Sequence, residues 1–377
     1  MTTSEIVEND SELLELMLRD LGDSDPLYQP TNYWKTYERE VLPYLRREGI
    51  AGFRGRPGYG AERVLGSFAA LDPVPKPLAF RRIDQLRLFD TPGIRQLIGA
   101  GTRGRLQEIW ERVASRVVLR QSHSLDEWRA LCFAYAREAG ARVGAVPLDG
   151  LRVSMAGEPA DRFAIGDGLY TSLTLYYYLR YAFVAQHLDL RRASSLVELG
   201  SGSGKQAELL ARLHPNLTIY LFDIPPQLYV AHQFLKAALP GRVAPYRETR
   251  NASALPEREP GRIYLLGSWQ LPLIARQSFD LFWSCATFGE MEPHVVANYL
   301  KLVDTSAGAV YLMQRMKGKK LAKREGARGV LARTTLADYE RGLASFELLG
   351  RAQARSADAL PLPHYDDTFW RRKVDRP

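Results

Sequence analysis

The sequence predicts an α/β fold, in which a parallel sheet with helices on both faces follows a mainly helical region. From residue 191 onwards, short apolar runs alternate with segments whose apolar residues recur at helical spacing. The first 190 residues show the helical spacing alone. We therefore divide the chain into a mainly helical N-terminal region, residues 1–190, and an α/β domain, residues 191–377.

Apolar spacing predicts the helices of the N-terminal region at residues 11–22, 33–49, 105–119 and 124–141. Ser124 is a typical N-cap for the last of these. A further segment, residues 169–188, is apolar or aromatic nearly all round, which predicts a helix buried in a core or at a dimer interface. Residues 54–80 are rich in Gly and Pro and predict an irregular segment.

Seven strands and four helices are predicted in the α/β domain. The strands are residues 194–200, 217–223, 262–269, 279–287, 307–315, 345–353 and 367–374. The helices are residues 205–214, 227–239, 293–303 and 334–344. Pro293 suits the first turn of its helix, and Thr335 with Asp338 forms a capping-box pattern.

Composition places the chain among ordinary globular proteins, with 46% apolar and 25% charged residues. No run of about 18 apolar residues indicates a membrane span. The acidic N-terminus lacks the basic and apolar parts of a signal peptide, so we expect a cytoplasmic protein. Cys132 and Cys285 form no CxxC pair, which favours two reduced thiols over a zinc site or a disulfide.

The net charge of +8 indicates an anionic partner, but most basic residues are scattered. One concentration stands out, MKGKKLAKREGARGVLAR at residues 316–333. Such a run is either a solvated face or a contact for an anionic ligand. The chain has no aromatic-rich basic stripe, so we do not expect a nucleic-acid partner.

ELGSGSGKQ, residues 198–206, joins a predicted strand to a predicted helix, where doubly wound sheets bind their ligands. A P-loop would need a glycine at Leu199 and a hydroxyl residue at Gln206. A dinucleotide fingerprint would need its third glycine at Lys205. The loop instead has glycines at alternate positions, and Glu198 precedes them.

The pattern resembles motif I of class I S-adenosylmethionine-dependent methyltransferases. Asp223 ends the next strand about 20 residues on, where an acid accepts hydrogen bonds from ribose hydroxyls. The resemblance implies a Rossmann-like seven-stranded sheet with an antiparallel last strand, and S-adenosylmethionine as the cofactor. The residues it assigns to the cofactor are Glu198, Gly200, Ser201, Gly202, Gly204, Asp223, Ile224, Trp269 and Gln270, with Trp269 beside the adenine.

Three further segments resemble the sugar O-methyltransferase family of bacterial polysaccharide and natural-product clusters. They lie near Tyr33, after the fourth strand around FGEM, and in YDDTFWRRK at the end of the chain. Family members have an Asn and a Gln in the FGEM region, where this chain has Ser284 or Cys285 and Gly289. The resemblance implies methylation of a hydroxyl on a sugar or sugar-containing metabolite.

Methyl transfer to a hydroxyl calls for a general base beside the cofactor. Glu290 follows the fourth strand, in the loop from which related enzymes take their base. His294 in the next helix, and His364 and Asp366 between the last two strands, are alternatives. Together with Glu292 such groups could bind a divalent cation through oxygen ligands, so we leave a cation open without predicting one.

Aromatic side chains are candidates for the acceptor pocket, because a ring face suits the apolar side of a sugar. We expect Tyr33, Trp34 and Tyr177 to contribute to it. A phenolic or other small natural product is the alternative acceptor, and a cofactor-binding scaffold without catalysis is the alternative of another class. A homodimer through the N-terminal region is left open.

Overall fold

The computed structural model describes residues 6–55, 102, 106, 124–357 and 361–373. The predicted helix over residues 105–119, apart from Leu106, lies outside the described residues. The same holds for the Gly- and Pro-rich stretch beyond Gly55.

Among the described residues, four α-helices and a short hairpin precede the sheet: α1 (Ser11–Gly22), α2 (Asn32–Glu48), α3 (Leu125–Arg142), β1 (Phe163–Ile165), β2 (Gly168–Tyr170) and α4 (Ser172–Ala185). Helix α4 begins later than predicted, because the residues before Thr171 belong to β2. The backbone N–H groups of Thr171 and Thr174 each donate to the hydroxyl oxygen of the other, which fixes the helix start. Helix α4 packs against α3, the helix after β3 and the last two strands, which explains its apolar surface.

One large sheet follows, with strands β3 (Ser195–Leu199), β4 (Thr218–Asp223), β5 (Val243–Ala244), β6 (Ile263–Gly267), β7 (Phe279–Cys285), β8 (Ala307–Gln314), β9 (Phe346–Arg355) and β10 (Pro361–Arg372). Between them lie α5 (Lys205–Leu213), α6 (Pro225–Ala238), α7 (Tyr246–Thr249), α8 (Pro293–Ser306) and α9 (Leu336–Gly342). The strand order is β5-β6-β4-β3-β7-β8-β10-β9.

All neighbouring strands are parallel except those that pair with β10, which is antiparallel to both β8 and β9. The fold is therefore a Rossmann-like α/β fold with an antiparallel last strand, as predicted. The seven predicted strands are present, and the two-residue β5 adds an eighth at the edge. Strand β10 begins six residues earlier than predicted, so residues 364–367 lie within it.

Apolar residues of successive strand positions divide into two clusters, one on each face of the sheet. Leu196 and Ile219 belong to the face covered by α4, α5 and α6, while Val197 and Tyr220 belong to the face covered by α8 and α9. This alternation follows from the two-residue period of a strand. Full burial of β3 and β4 on both faces explains their near-continuous apolar sequence.

Residues from both predicted regions share one of these clusters, including Leu14 of α1, Phe133 of α3 and Leu210 of α5. The division at residue 190 is thus a change of secondary structure within a shared core, and its status as a domain boundary stays a prediction. Among the described residues no helix combines the length and apolarity that crossing a membrane requires. The carboxyl ends of β3, β4 and β7 meet at one edge, where α2 also lies.

Candidate active site

A cavity of about 380 Å³ opens at the carboxyl edge of the sheet. Its volume is in the range of small-molecule binding sites. The loops after β3, β4 and β7 line it together with α2, α4 and the segment after β8. Predicted site residues that line it are Tyr33, Trp34, Tyr177, Glu198, Gly200, Ser201, Gly202, Asp223 and Glu290.

The glycine loop needs glycine at all three positions for its backbone conformation. Gly200, Gly202 and Gly204 have φ values of +83°, +56° and +79°. This left-handed region is costly for residues with a Cβ. A Cβ on Gly200 would also lie 1.9 Å from Oγ1 of Thr287 in the loop after β7. Alternate glycines therefore let the loop turn tightly while contacting the neighbouring loop.

Asp223 is held by the glycine loop across the switch point of the sheet. Its Oδ2 accepts a hydrogen bond from the Gly202 backbone N–H at 2.8 Å, and its Oδ1 accepts one from Ile224 N–H at 2.8 Å. Ser201 Oγ lies 3.4 Å from Oδ2. Burial nevertheless raises the pKa of Asp223 to about 7, although these hydrogen bonds oppose the shift.

Glu198 and Arg180 bring opposite charges to the same wall of the cavity. Glu198 is 3% exposed, and its Oε2 has no hydrogen-bond partner among the described residues. Burial raises the pKa of Glu198 to about 8, against the opposing effect of Arg180. The Arg180 guanidinium packs over the Tyr177 ring at 4.9 Å, and its buried Nε lacks a hydrogen-bond partner within the described part of the chain.

Two buried glutamines complete this wall. Neither side-chain oxygen nor nitrogen of Gln206 or Gln227 has a partner among the described residues, although both residues are 3% exposed or less. Unsatisfied buried amides are costly, so such groups commonly meet a ligand or water. With Glu198 and Arg180 they offer donors, acceptors and both charges. This set fits the amino-acid end of S-adenosylmethionine, which is a zwitterion.

Glu290 also lines the cavity and is 8% exposed. Its Oε2 accepts a hydrogen bond from Trp34 Nε1 at 2.8 Å, and its Oε1 pairs with the Lys319 ammonium group. Burial raises the pKa of Glu290, while Lys319 acts in the opposite direction. Thr31 Oγ1 donates to the Glu290 backbone oxygen at 2.9 Å, which fixes the start of α2 on this loop.

The other predicted bases lie outside the residues that line the cavity. His294 is exposed in the first turn of α8, and His364 is exposed in β10 with a φ of +72°. Asp366 pairs with Arg351 of β9 at 2.6 Å. The neighbouring Tyr365 lines the cavity instead.

Four residues predicted for the cofactor also lie outside the lining. Gly204 is the N-cap of α5, and Ile224 is the N-cap of α6. The Trp269 ring packs over Gly267. Gln270 accepts a hydrogen bond from Gly267 N–H at 2.9 Å and donates to the Thr249 carbonyl at 2.8 Å, so its amide is used by the backbone. Contacts of these residues with an adenosyl group stay predictions.

Sequence reasoning missed several lining residues: Arg180, Gln206, Gln227, Cys285, Lys319 and Tyr365. Arg180 lies three positions after Tyr177, which is one helical turn, so the placement of Tyr177 could have indicated it. Lys319 belongs to the basic segment 316–333, but its distance along the chain from the glycine loop concealed its position. Cys285 and Cys132 are both free thiols in the structure.

A divalent cation finds no cluster of ligands in the described parts of the chain. No group of three or more His, Cys, Asp or Glu residues there is close enough together to hold a metal ion. Glu292, a candidate for such a site by sequence, instead accepts a hydrogen bond from the Leu331 backbone N–H at 3.0 Å.

Comparison with known families identifies part of this region. Residues 170–258 match the model of an O-methyltransferase domain, over about a quarter of the chain. The matched residues run from the end of β2 through α4, the glycine loop and Asp223 to the loop after α7. No protein of curated function matches the sequence.

Solved methyltransferase structures show a distant likeness. The pyocyanin biosynthetic protein PhzM is 16% identical, with a TM-score of 0.33 over 52% of this chain and 58% of its own. Magnesium protoporphyrin IX methyltransferase from Synechocystis, with bound S-adenosylmethionine, is 12% identical, with a TM-score of 0.36 over 54% and 80%. An O-methyltransferase family 2 protein from Planctomyces limnophilus, in complex with apigenin, is 13% identical, with a TM-score of 0.34 over 52% and 56%.

This chain thus spans less than two thirds of the length of PhzM and of the Planctomyces protein. The strand order of the sheet itself defines the fold. Residues 170–258, which match the O-methyltransferase domain model, include the glycine loop and Asp223.

Proposed function

We propose that the protein is an S-adenosylmethionine-dependent O-methyltransferase that acts on a hydroxyl of a sugar or sugar-containing small molecule. The observation that carries the proposal is a single cavity that is lined by the glycine loop, Asp223 and the buried carboxylate of Glu290. The match to an O-methyltransferase domain supports the same activity.

The glycine-loop side would hold the cofactor. Asp223 offers carboxylate oxygens to the ribose hydroxyls, and Glu198 and Arg180 offer opposite charges to the amine and carboxylate of the methionyl group. Gln206 and Gln227 offer further donors and acceptors. When bound, S-adenosylmethionine supplies a methyl group on a positively charged sulfur, which leaves as a neutral thioether.

Glu290 would accept the proton of the acceptor hydroxyl. The new bond joins the methyl carbon to the hydroxyl oxygen, the carbon–sulfur bond breaks, and the hydroxyl proton goes to the carboxylate. Each carboxylate oxygen has two lone pairs, so the bonds from Trp34 and Lys319 leave acceptor capacity on Glu290. Its raised pKa makes it a stronger base than an exposed glutamate.

The acceptor would lie beside Tyr33, Trp34, Tyr177 and Tyr365, which all line the cavity. Ring faces bind the apolar face of a sugar, and the phenolic hydroxyls bind its hydroxyls. The same rings favour one second candidate, a planar phenolic acceptor. Buried charges close to the rings favour the more polar sugar.

Methyl transfer to a panel of sugars and phenols, followed by mass spectrometry, tests the proposal. We expect a gain of one methyl group on a sugar, and a loss of about 10²–10⁴-fold in rate for Glu290→Gln with cofactor binding retained. Glu340→Gln, an exposed helix position, is the matched control. Cofactor binding without turnover on any acceptor, unchanged by Glu290→Gln, would instead support the scaffold.

A further inference from the structure

Most of the excess positive charge of the chain lies in the basic segment, residues 316–333. Seven Lys and Arg residues and one Glu give this segment a net charge of +6, and the whole chain has +8. Such a concentration raises the free energy of the folded state by self-repulsion. A function that needs the charge at this place would explain why it is there.

The basic segment lies at the cavity, where Lys319 forms part of the lining. Asn32 of α2 holds its far end, since Nδ2 donates to the Gly329 carbonyl at 2.8 Å and Oδ1 accepts from the Gly326 N–H at 2.7 Å. Arg333 Nε donates to the Lys319 carbonyl at 3.1 Å. The segment is therefore fixed against α2 beside the site.

Cations of the basic segment pack on a pair of adjacent aromatic rings that begins at the cavity. The Lys319 ammonium lies 4.4 Å from the centre of the Tyr33 ring, and Tyr37 packs on Tyr33 at 4.9 Å. Arg328 follows over Tyr37 at 5.3 Å. At the other side of the mouth, Arg315 lies over Tyr365 at 4.9 Å. Rings and cations in this arrangement offer stacking faces beside anion-binding groups.

Few of these charges are neutralised by the described residues. Ion pairs there join Lys319 to Glu290 and Arg328 to Glu40. The exposed cations Lys317, Lys320, Lys323, Arg324 and Arg333 pair with no carboxylate in that part of the chain. Of the three N–H donors of Lys319, the structure uses one for Glu290 and one for the Tyr33 hydroxyl. The third is left for a ligand.

We infer that the acceptor is a phosphorylated sugar, whose phosphate binds the basic segment while its hydroxyl reaches Glu290. This rests on the proposed function and specifies the substrate class of the same site. Two sources offer the same chemistry, a nucleoside diphosphate sugar and a simple sugar phosphate. Lys319 belongs to the basic segment and also pairs with Glu290, so it links the phosphate-binding residues to the base.

Binding of inorganic pyrophosphate tests the inference without knowledge of the sugar. Calorimetry uses the full chain saturated with S-adenosylhomocysteine, and compares wild type with Lys317→Gln/Lys320→Gln. The matched control is Arg276→Gln/Lys301→Gln, which removes two exposed charges elsewhere. We expect pyrophosphate affinity to fall about 10-fold in the first variant and less than 2-fold in the control, because each exposed charge contributes modestly. Raised salt should weaken binding in the wild type.

Methyl transfer to glucose, glucose 1-phosphate and UDP-glucose separates the sources. If the KM for UDP-glucose is lower than that for glucose 1-phosphate, and Lys317→Gln/Lys320→Gln abolishes this difference, the acceptor is a nucleoside diphosphate sugar. Equal KM values for the two assign a simple phosphate. Pyrophosphate binding that is absent, or equal in both double variants, overturns the inference. Displacement of pyrophosphate by a short RNA also overturns it, because the segment would then be a nucleic-acid surface.

The proposed function and this inference fail in distinguishable ways. Efficient methylation of unphosphorylated glucose, with a KM that the double variant leaves unchanged, would contradict the phosphate and leave the methyltransferase intact. Failure to bind S-adenosylhomocysteine would contradict the methyltransferase, whatever pyrophosphate does.

Discussion

At the scale of single residues, two neighbours, Lys319 and Trp34, set the basicity of Glu290. Burial raises its pKa, and the Lys319 ammonium and Trp34 Nε1–H lower it again. A base must be ionised to accept a proton, so the methyl-transfer rate should fall as the pH drops through the pKa of Glu290.

Substitution of Lys319 by Met should move this fall in the methyl-transfer rate, the acidic limb of the pH profile, to higher pH. Without the ammonium group the ionised form of Glu290 is less stable, so its pKa rises and a higher pH is needed to ionise it. The measurement is kcat against pH at saturating acceptor, with the exposed Lys301→Met as control. An unchanged limb, or a shift to lower pH, would contradict Glu290 as the base.

At the scale of elements, the glycine loop and the loop after β7 constrain each other. Gly200 has a φ of +83°, and its missing Cβ leaves room for the Thr287 hydroxyl. Conformation and contact are separate reasons for glycine at this position. Gly241 has a φ of +78° with nothing within 4 Å of the position that a Cβ would take, so it isolates the first reason.

Substitution of Gly200 by Ala should lower the free energy of unfolding by more than Gly241→Ala does. The left-handed conformation alone costs about 1–2 kcal/mol, and the clash with Thr287 adds about 1–3 kcal/mol. Urea unfolding of both variants measures the difference. If the contact matters as stated, Thr287→Gly should restore part of the loss in Gly200→Ala. Equal losses in the two Gly→Ala variants would refute it.

Strand β10 shows what the sequence of an element could and could not indicate. Its apolar part, residues 367–374, predicts a strand, whereas the polar residues 364–366 indicate a loop. Pairing on both sides of them keeps them in the strand, since Pro361 lies opposite Arg355 and Asp366 lies opposite both Gln314 and Gln353, with an irregular register in between. Tertiary pairing thus overrides local polarity, and Tyr365 lines the cavity in place of His364.

At the scale of the whole molecule, folding brings two carboxyl groups into one buried wall at a cost in stability. Burial raises the pKa of Asp223 to about 7 and of Glu198 to about 8, from a usual value of about 4. Between about pH 4 and pH 8 the folded state therefore binds more protons than the unfolded state. The contribution of Asp223 and Glu198 to the free energy of unfolding is therefore present below about pH 4 and is lost as the pH rises to about 7–8.

S-adenosylhomocysteine should therefore raise the melting temperature more at pH 8 than at pH 6. Its ribose hydroxyls and amine favour the ionised forms of Asp223 and Glu198, so binding should release protons. Calorimetry in two buffers of different ionisation enthalpy measures that release. Glu198→Gln should reduce it. Proton uptake, or an equal thermal shift at both pH values, would contradict the assignment of these carboxyl groups to the ligand.

The sequence could predict the fold because strand and helix periods alternate cleanly from residue 191, and because Gly200, Gly202 and Gly204 mark one switch point. It could not predict the cavity as a whole, because Lys319 reaches it from a segment more than 100 residues after the glycine loop. Gln206 and Gln227 lie on helices whose other residues are mostly apolar, so the sequence does not mark them as site residues. Only the absence of hydrogen-bond partners for their buried amides, among the described residues, indicates a ligand. Dimerisation and a cytoplasmic location stay predictions.

The central claim is that the glycine loop and Asp223 bind S-adenosylmethionine, and a calorimetric titration of the cofactor tests it most directly. The titration compares wild type, Asp223→Ala and the exposed Asp167→Ala, each checked for folding by thermal melting. We predict saturable binding of the cofactor to the wild type. Asp223→Ala should weaken this binding at least 10-fold, because it removes about one charge-assisted hydrogen bond to the ligand. Asp167→Ala should leave the affinity unchanged. Absence of binding in the folded wild type, or equal affinity in Asp223→Ala, would contradict the account.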